Sequence, residues 1–203
     1  EHDPDAVAEL GGGNDTVWGN VGTVRGQGGD DHVSINSGLV EGGAGHDDVG
    51  ENTGVVDAGD GHDTVGYNAG TVFGRDGNDT IARNSTHATF DGGAGNDSVD
   101  ENGHFASFNG GAGDDSVDEN AHSATFDGGD GDDFVALNTS GATFNGGTGN
   151  DSAGVNRRDA VYNGNDGDDF LDVNEADGTF DGGAGTDTVS SNAGTVIDVE
   201  NVG

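Results

Sequence analysis

The sequence predicts an all-β protein, a parallel β-solenoid of about eleven coils in one domain, and three observations predict it. First, one Asp recurs at a near-constant interval: Asp15, Asp31, Asp47, Asp63, Asp79, Asp97, Asp115, Asp133, Asp151, Asp169 and Asp187, spaced by 16 residues four times and then by 18 six times. Second, three further columns keep step with it. The residue two beyond each Asp is apolar, from Val17 and Val33 to Leu171 and Val189. Five beyond each Asp stands Asn without exception: Asn20, Asn36, Asn52, Asn68, Asn84, Asn102, Asn120, Asn138, Asn156, Asn174 and Asn192. A second apolar column follows, with Val24, Val40, Val56 and Val72 in the short copies, Phe90, Phe108, Phe126, Phe144, Tyr162 and Phe180 in the long ones, and Val196 last. Third, no helical period survives, because Gly interrupts every candidate stretch. A fixed period decides the architecture: stacking turns each column into a continuous ladder that buries what one copy cannot bury alone.

In chain order, residues 1–10 read as a lead segment, 11–80 as 16-residue coils, 81–196 as mainly 18-residue coils, and 197–203 (IDVENVG) as a closing strand. Within a coil the first strand reads Asp-x-apolar, as in Asp97-Ser98-Val99. The second reads small-Thr-aromatic, as in Ala124-Thr125-Phe126, which puts Ala and Phe on one face and Thr on the other. Both are read as two or three residues long. Coils repeating at the ~4.8 Å strand spacing would make a rod about 50 Å long. The change from Val to an aromatic coincides with the longer coil, so that coil is expected to have a wider interior that the ring fills.

Composition alone argues for disorder, since only 29% of the 203 residues are hydrophobic and the net charge is −35. The order of the residues overturns that reading. Charge still excludes classes. Five Arg and no Lys stand against 40 acidic residues, so the cations that displace counterions from nucleic acid are missing, and an anionic membrane surface would repel the chain. No apolar run approaches the ~20 residues of a membrane-spanning helix. Without Cys there are neither disulfides nor thiolate metal sites. A chain starting at Glu1 without Met reads as processed or excised.

The turn before each Asp is Gly-rich. Its fourth position is Gly in every copy: Gly13, Gly29, Gly45, Gly61, Gly77, Gly95, Gly113, Gly131, Gly149, Gly167 and Gly185. The segments GGAGNDSVD (92–100), GGAGDDSVD (110–118) and GGDGDDFVA (128–136) fit GGxGxDxUx, with U apolar. On this motif the chain resembles, along nearly its whole length, the RTX proteins, a family of calcium-binding parallel β-rolls. The resemblance implies a right-handed parallel β-roll with Ca²⁺ held between neighbouring turns. The column of Asp carboxylates would hold the ion with backbone carbonyls of the turn, those of the fourth-position Gly included. Physical chemistry agrees. Ca²⁺ takes six to eight oxygen ligands, and Gly permits the backbone angles that aim successive carbonyls at one point. A stacked Asp column repels itself without cations, so folding should depend on metal. About ten Ca²⁺ in the ten gaps would bring −35 to about −15.

The chain departs from the family pattern in one respect. A usual RTX roll repeats every nine residues and carries calcium on both edges, whereas the second half-coil here, such as ENGHFASFN (101–109), has no Gly-rich turn. Calcium is therefore expected along one edge and an Asn ladder along the other, with Asn bonding its neighbours and the turn backbone; the alternative is that Asn merely tolerates a left-handed turn.

Other features have bland readings. His2, His32, His46, His62, His87, His104 and His122 mostly fall in different columns, although His46 and His62 share the fifth turn position of adjacent copies. No Ser keeps a fixed His partner, and the repeat accounts for the paired carboxylates, so no catalytic set is expected and the chain is read as a non-enzyme. Asn-x-Ser/Thr matches at Asn14, Asn78, Asn84, Asn96, Asn138 and Asn150 arise from the repeat. The column Thr89, Ser107, Thr125, Thr143 and Thr179 is similar to the Thr faces of ice-binding solenoids, but regular Thr pairs are missing. Trp18, Phe134 and Phe170 should face outward, either as ordinary exposed apolars or for lateral packing on another chain.

Neither end carries a helix-like cap, and an open coil invites another chain to pair. Two expectations follow: an extracellular, calcium-dependent structural subunit that stacks end to end on copies of itself into a fibre or matrix, or a calcium-stabilised module of an adhesin or secreted carbohydrate-active enzyme that binds surface glycans. Extracellular Ca²⁺ fills weak sites that cytosolic levels leave empty.

Overall fold

The computed structural model describes residues 4–203; His2 lies outside the described residues. Every regular element among them is a β-strand, and the strands form two parallel sheets of twelve. Each coil gives one strand to each sheet. Around Asp97 these are Ser98–Asn102 in one and Ser107–Ala112 in the other. Like pairs with like: Val99 with Val117, Phe90 with Phe108, Asn84 with Asn102. The chain is an all-β parallel solenoid of about eleven coils.

The strands are longer than the pattern suggests, five and six residues rather than two or three. The cause is the Gly pair that opens the turn. It keeps pairing, Gly93 with Gly111, although both have positive φ, so the strand runs through to the third turn position. Alternation along Thr89–Ala94 exposes Thr89, buries Phe90, exposes Asp91 and buries Gly92.

The interior is two ladders. Val33, Val49, Val65, Ile81, Val99, Val117 and Val135 line one sheet, all at most 3% exposed. Six rings from Phe90 to Phe180, with Tyr162 among them, stack at centroid spacings of 4.7–4.9 Å. The spacing is that of the strands, so ring stacking and strand pairing reinforce each other. Phe126 is fully buried between Phe108 and Phe144. Phe126→Ala is expected to cost about 3–5 kcal/mol of stability, measured by denaturant unfolding; a loss below about 1 kcal/mol would mean the rings do not carry the core.

The two extra residues of the long coils lie at one corner. In short coils the Asn side chain closes it, as where the Gly38 N–H donates to Asn36 Oδ1 at 3.0 Å. In long coils a β-turn takes over: the Ala106 N–H donates to the Gly103 carbonyl at 3.0 Å, and the residue before Ala106, Phe105, is left-handed with φ 58°.

Candidate metal edge

The recurring Asp points inward. From Asp31 to Asp187 each is at most 6% exposed. The local sequence dictates this. Asp and the apolar residue two beyond it lie on the same face of a strand-like segment, so an inward Val99 brings Asp97 inward too. Gly at the first turn position makes the room. A Cβ on Gly92 would collide with the Asp97 carboxylate and with the Gly110 carbonyl of the next coil. In the first coil Leu10 takes that position, and Asp15 is only part-buried.

Each carboxylate is half satisfied. Its Oδ1 accepts the backbone N–H of the preceding Asp, as from Asp79 to Asp97 and from Asp97 to Asp115 at 2.7 and 2.6 Å. Its Oδ2 is buried and meets no donor among the described residues, and this holds for ten in a row, Asp31, Asp47, Asp63, Asp79, Asp97, Asp115, Asp133, Asp151, Asp169 and Asp187. A buried oxygen without a partner is costly, and ten in one column is a systematic feature of the edge.

The carbonyl beside each orphaned Oδ2 is that of the first turn position in the next coil, as the Gly110 carbonyl is for Asp97, while the fourth-position carbonyls form a separate row. The fourth-position Gly is left-handed in all eleven copies, with φ between 105° and 155°. Its carbonyl oxygen stands against the Cα of the next fourth-position Gly, so that a Cβ on Gly131 would run into the Gly113 carbonyl. Among the described residues no three His, Asp or Glu side chains cluster as a metal centre. Each coil instead offers oxygens, the orphaned Asp Oδ2 and the first-position carbonyl of the next coil beside it. That donor set suits a hard cation and not a soft one, so the residues present fit Ca²⁺.

Burial sets the electrostatics. Desolvation pushes Asp47 and Asp63 up to about 6, and Asp97, Asp115, Asp133, Asp151 and Asp169 up to about 7. The N–H bond to Oδ1 opposes the rise, and neighbouring carboxylates add to it, as Asp97 does for Asp115.

A second ladder runs beside the first and was not foreseen from the sequence. The fifth turn position reads Asn14, Asp30, His46, His62, Asn78, Asn96, Asp114, Asp132, Asn150, Asp168 and Thr186. The side chain of each of the first ten accepts the backbone N–H of its successor in the next coil. Asn78 accepts from Asn96 at 2.9 Å and Asp114 from Asp132 at 3.0 Å. His46 and His62 obey the same rule. Their Nδ1 atoms accept the N–H of His62 and Asn78 at 2.8 and 2.7 Å, and the two rings stack at 5.1 Å. The legible signal was that Asn, Asp and His all place an acceptor two bonds beyond Cβ. This ladder points one way along the rod and the Asp ladder the other.

The opposite corner holds the Asn ladder. Every step from Asn20 to Asn192 is an Nδ2–H donated to the next Oδ1 at 2.8–3.1 Å. The second amide hydrogen goes to backbone carbonyls such as Thr125 and Thr143. Asn84 and Asn138 are fully buried in it, which leaves them closed to glycosylation. Trp18, Phe134 and Phe170 do face outward, at 80%, 40% and 40% exposure.

Comparison with known proteins gives no match: no protein-family model, no curated protein and no solved structure corresponds to the chain.

Proposed function

We propose that the chain is a calcium-binding structural protein of the RTX type, folded by Ca²⁺ between its coils and acting outside the cell as a self-assembling subunit. One observation carries this reading: the unbroken column of buried Asp Oδ2 atoms with no hydrogen-bond donor. A bound Ca²⁺ supplies two positive charges per gap and accepts carboxylate and carbonyl oxygens. The chain does the rest. The N–H of each Asp fixes Oδ1 of the next and so turns Oδ2 to the gap, and Gly at the first turn position keeps that space clear. Net charge −35 keeps such a rod soluble and repels lateral neighbours, so contact between copies is favoured at the ends. Among the described residues the strands Val7–Gly12 and Thr195–Ile197 each leave one edge unpaired, and an unpaired strand edge supports stacking on a further copy.

A second reading, a calcium-stabilised module of an adhesin or secreted carbohydrate-active enzyme, is favoured by one cluster. Phe105 is 53% exposed and left-handed, stacks on His87 at 5.3 Å and meets His122 edge-on at 6.0 Å. Beside these rings a groove is lined by Tyr67, Arg83, Glu101 and His104. An aromatic platform beside polar groups suits a sugar ring. Electron microscopy and sedimentation with Ca²⁺ and with EDTA separate the readings. Filaments that form with Ca²⁺ and dissolve on chelation support the first. Calcium-loaded monomers that bind a glycan array support the second.

A further inference from the structure

Each buried Asp Oδ2 lies beside the first-position Gly of its own coil and the first-position carbonyl of the next, as Asp169 Oδ2 does with Gly164 and the Gly182 carbonyl. Eleven recurring Asp define ten gaps, the first between Asp15 and Asp31. The ten orphaned Oδ2 atoms start at Asp31, because Asp15 is only part-buried, and end at Asp187, which is followed by residues 188–203 and not by another 18-residue repeat within them. Asp187 is fully buried all the same. What covers it is the tail. Val196 continues the aromatic column by pairing with Phe180, and Val202 continues the valine column by pairing with Val189. Between them lie five residues, 197–201, where a full coil has eight, 181–188, and the shortening falls in the turn: three residues, Asp198–Glu200, replace the six of Gly182–Asp187.

Those three residues reproduce the oxygens of a complete turn. Glu200 stands at the Asp position: its Oε2 accepts the Asp187 N–H at 2.7 Å, as Asp187 Oδ1 accepts the Asp169 N–H at 2.9 Å. The next residue keeps the register, since the Asn201 N–H donates to the Asp187 carbonyl at 3.0 Å, matching Thr188 on Asp169 at 2.9 Å. Asp198 stands at the first turn position. Its carbonyl oxygen and Asp187 Oδ2 both crowd the place where a Cβ on Gly182 would sit, as the Gly182 carbonyl and Asp169 Oδ2 do over Gly164. Asp198 is left-handed, with φ 45°, which lets three residues cut the corner. Glu is one methylene longer than Asp and spans the shortened path.

We propose that the tail Asp198–Glu200 builds a terminal Ca²⁺ site on Asp187, in which the Glu200 carboxylate replaces that of a twelfth coil and the Asp198 carbonyl replaces its first-position carbonyl. The proposal rests on the calcium reading above and adds a site that no coil gap accounts for. It covers Asp187 with a metal-tied strand, whereas Asp15 in the first coil stays part-buried. It also gives the chain a calcium-dependent latch on its final strand, Asn201–Val202.

Calcium stoichiometry by equilibrium dialysis and native mass spectrometry tests it on the full chain. Glu200→Gln keeps an oxygen to accept the Asp187 N–H and removes the charge. It is expected to retain the β circular-dichroism spectrum and to bind one Ca²⁺ fewer than the parent chain. An unchanged count overturns the terminal site and leaves the coil sites standing; no calcium on either protein overturns both readings. Hydrogen exchange on the unmutated chain gives a second measurement that does not depend on the variant folding. The Asn201 and Gly203 amides, which donate to Asp187 and Val189, should be at least about tenfold better protected at saturating than at sub-stoichiometric Ca²⁺. Equal protection in both conditions overturns the latch.

Discussion

Stripped of divalent cations at pH 8, the chain is expected to lose its β circular-dichroism signal, and to regain it cooperatively when Ca²⁺ is added. The reason is the buried Asp column. In the cation-free fold the carboxylates from Asp97 to Asp169 are pushed up to about 7, against about 3.8 in an unfolded chain. A group raised in the folded state favours folding below its unfolded value and loses that contribution as pH climbs through the folded one. The cation-free fold is therefore favoured near pH 4, weakens between about 4 and 7, and receives nothing from these groups at pH 8. Protons and Ca²⁺ neutralise the same oxygens, so acidifying the chelated chain to pH 5 should restore part of the β signal. With Ca²⁺ present the dependence reverses, because protons compete for its ligands and acid lowers its affinity. A chain that melts at the same temperature at pH 5 and pH 8, both with Ca²⁺ and after chelation, would falsify the metal edge as the source of stability.

At the other corner, Asn120→Asp is expected to be the most damaging isosteric change in the molecule. Asn120 is fully buried. It donates to Asn138 Oδ1 at 3.0 Å and to the Thr143 carbonyl at 2.8 Å, and it accepts from Asn102 Nδ2 at 2.9 Å. Asp has the same shape and no hydrogen to give. Two buried acceptors would then face a carboxylate, each at a cost of about 1–3 kcal/mol. An uncompensated buried charge costs about 3–5 kcal/mol more. The sum is about 5 kcal/mol or more, enough to break the stack at that rung. Denaturant unfolding in saturating Ca²⁺ measures it. A change within about 1 kcal/mol of the parent chain would show that the amides are not held by the ladder. The comparison also explains why Asn and Asp occupy separate columns. The Asn corner needs a donor and an acceptor on one side chain, whereas the Gly corner needs an acceptor with an oxygen to spare.

The sequence alone determined the repeat, and through it the architecture. A period of 16 or 18 with four columns in step admits few folds other than stacked coils, because each column must meet its own copies. It also marked the Asp, Gly and Asn columns, since residue type there is nearly invariant down the rod. Columns whose chemistry is shared across different residue types stayed hidden. The fifth turn position mixes Asn, Asp and His, and only in the folded coil do their acceptors engage one backbone row. Glu200 stayed hidden because it follows Asp187 by 13 residues and is not an Asp, and only the pairing of Val202 with Val189 reveals its place. Strand length depended on pairing too: the Gly pair looks like turn in one dimension but is held in the ladder by the same pair in the coils above and below, as Gly111 is by Gly93 and Gly129. Spacing along the chain records which residues share a column. Which atom of a side chain is satisfied by a neighbour, and which is left facing a gap, depends on the next coil, and tertiary stacking alone decided that.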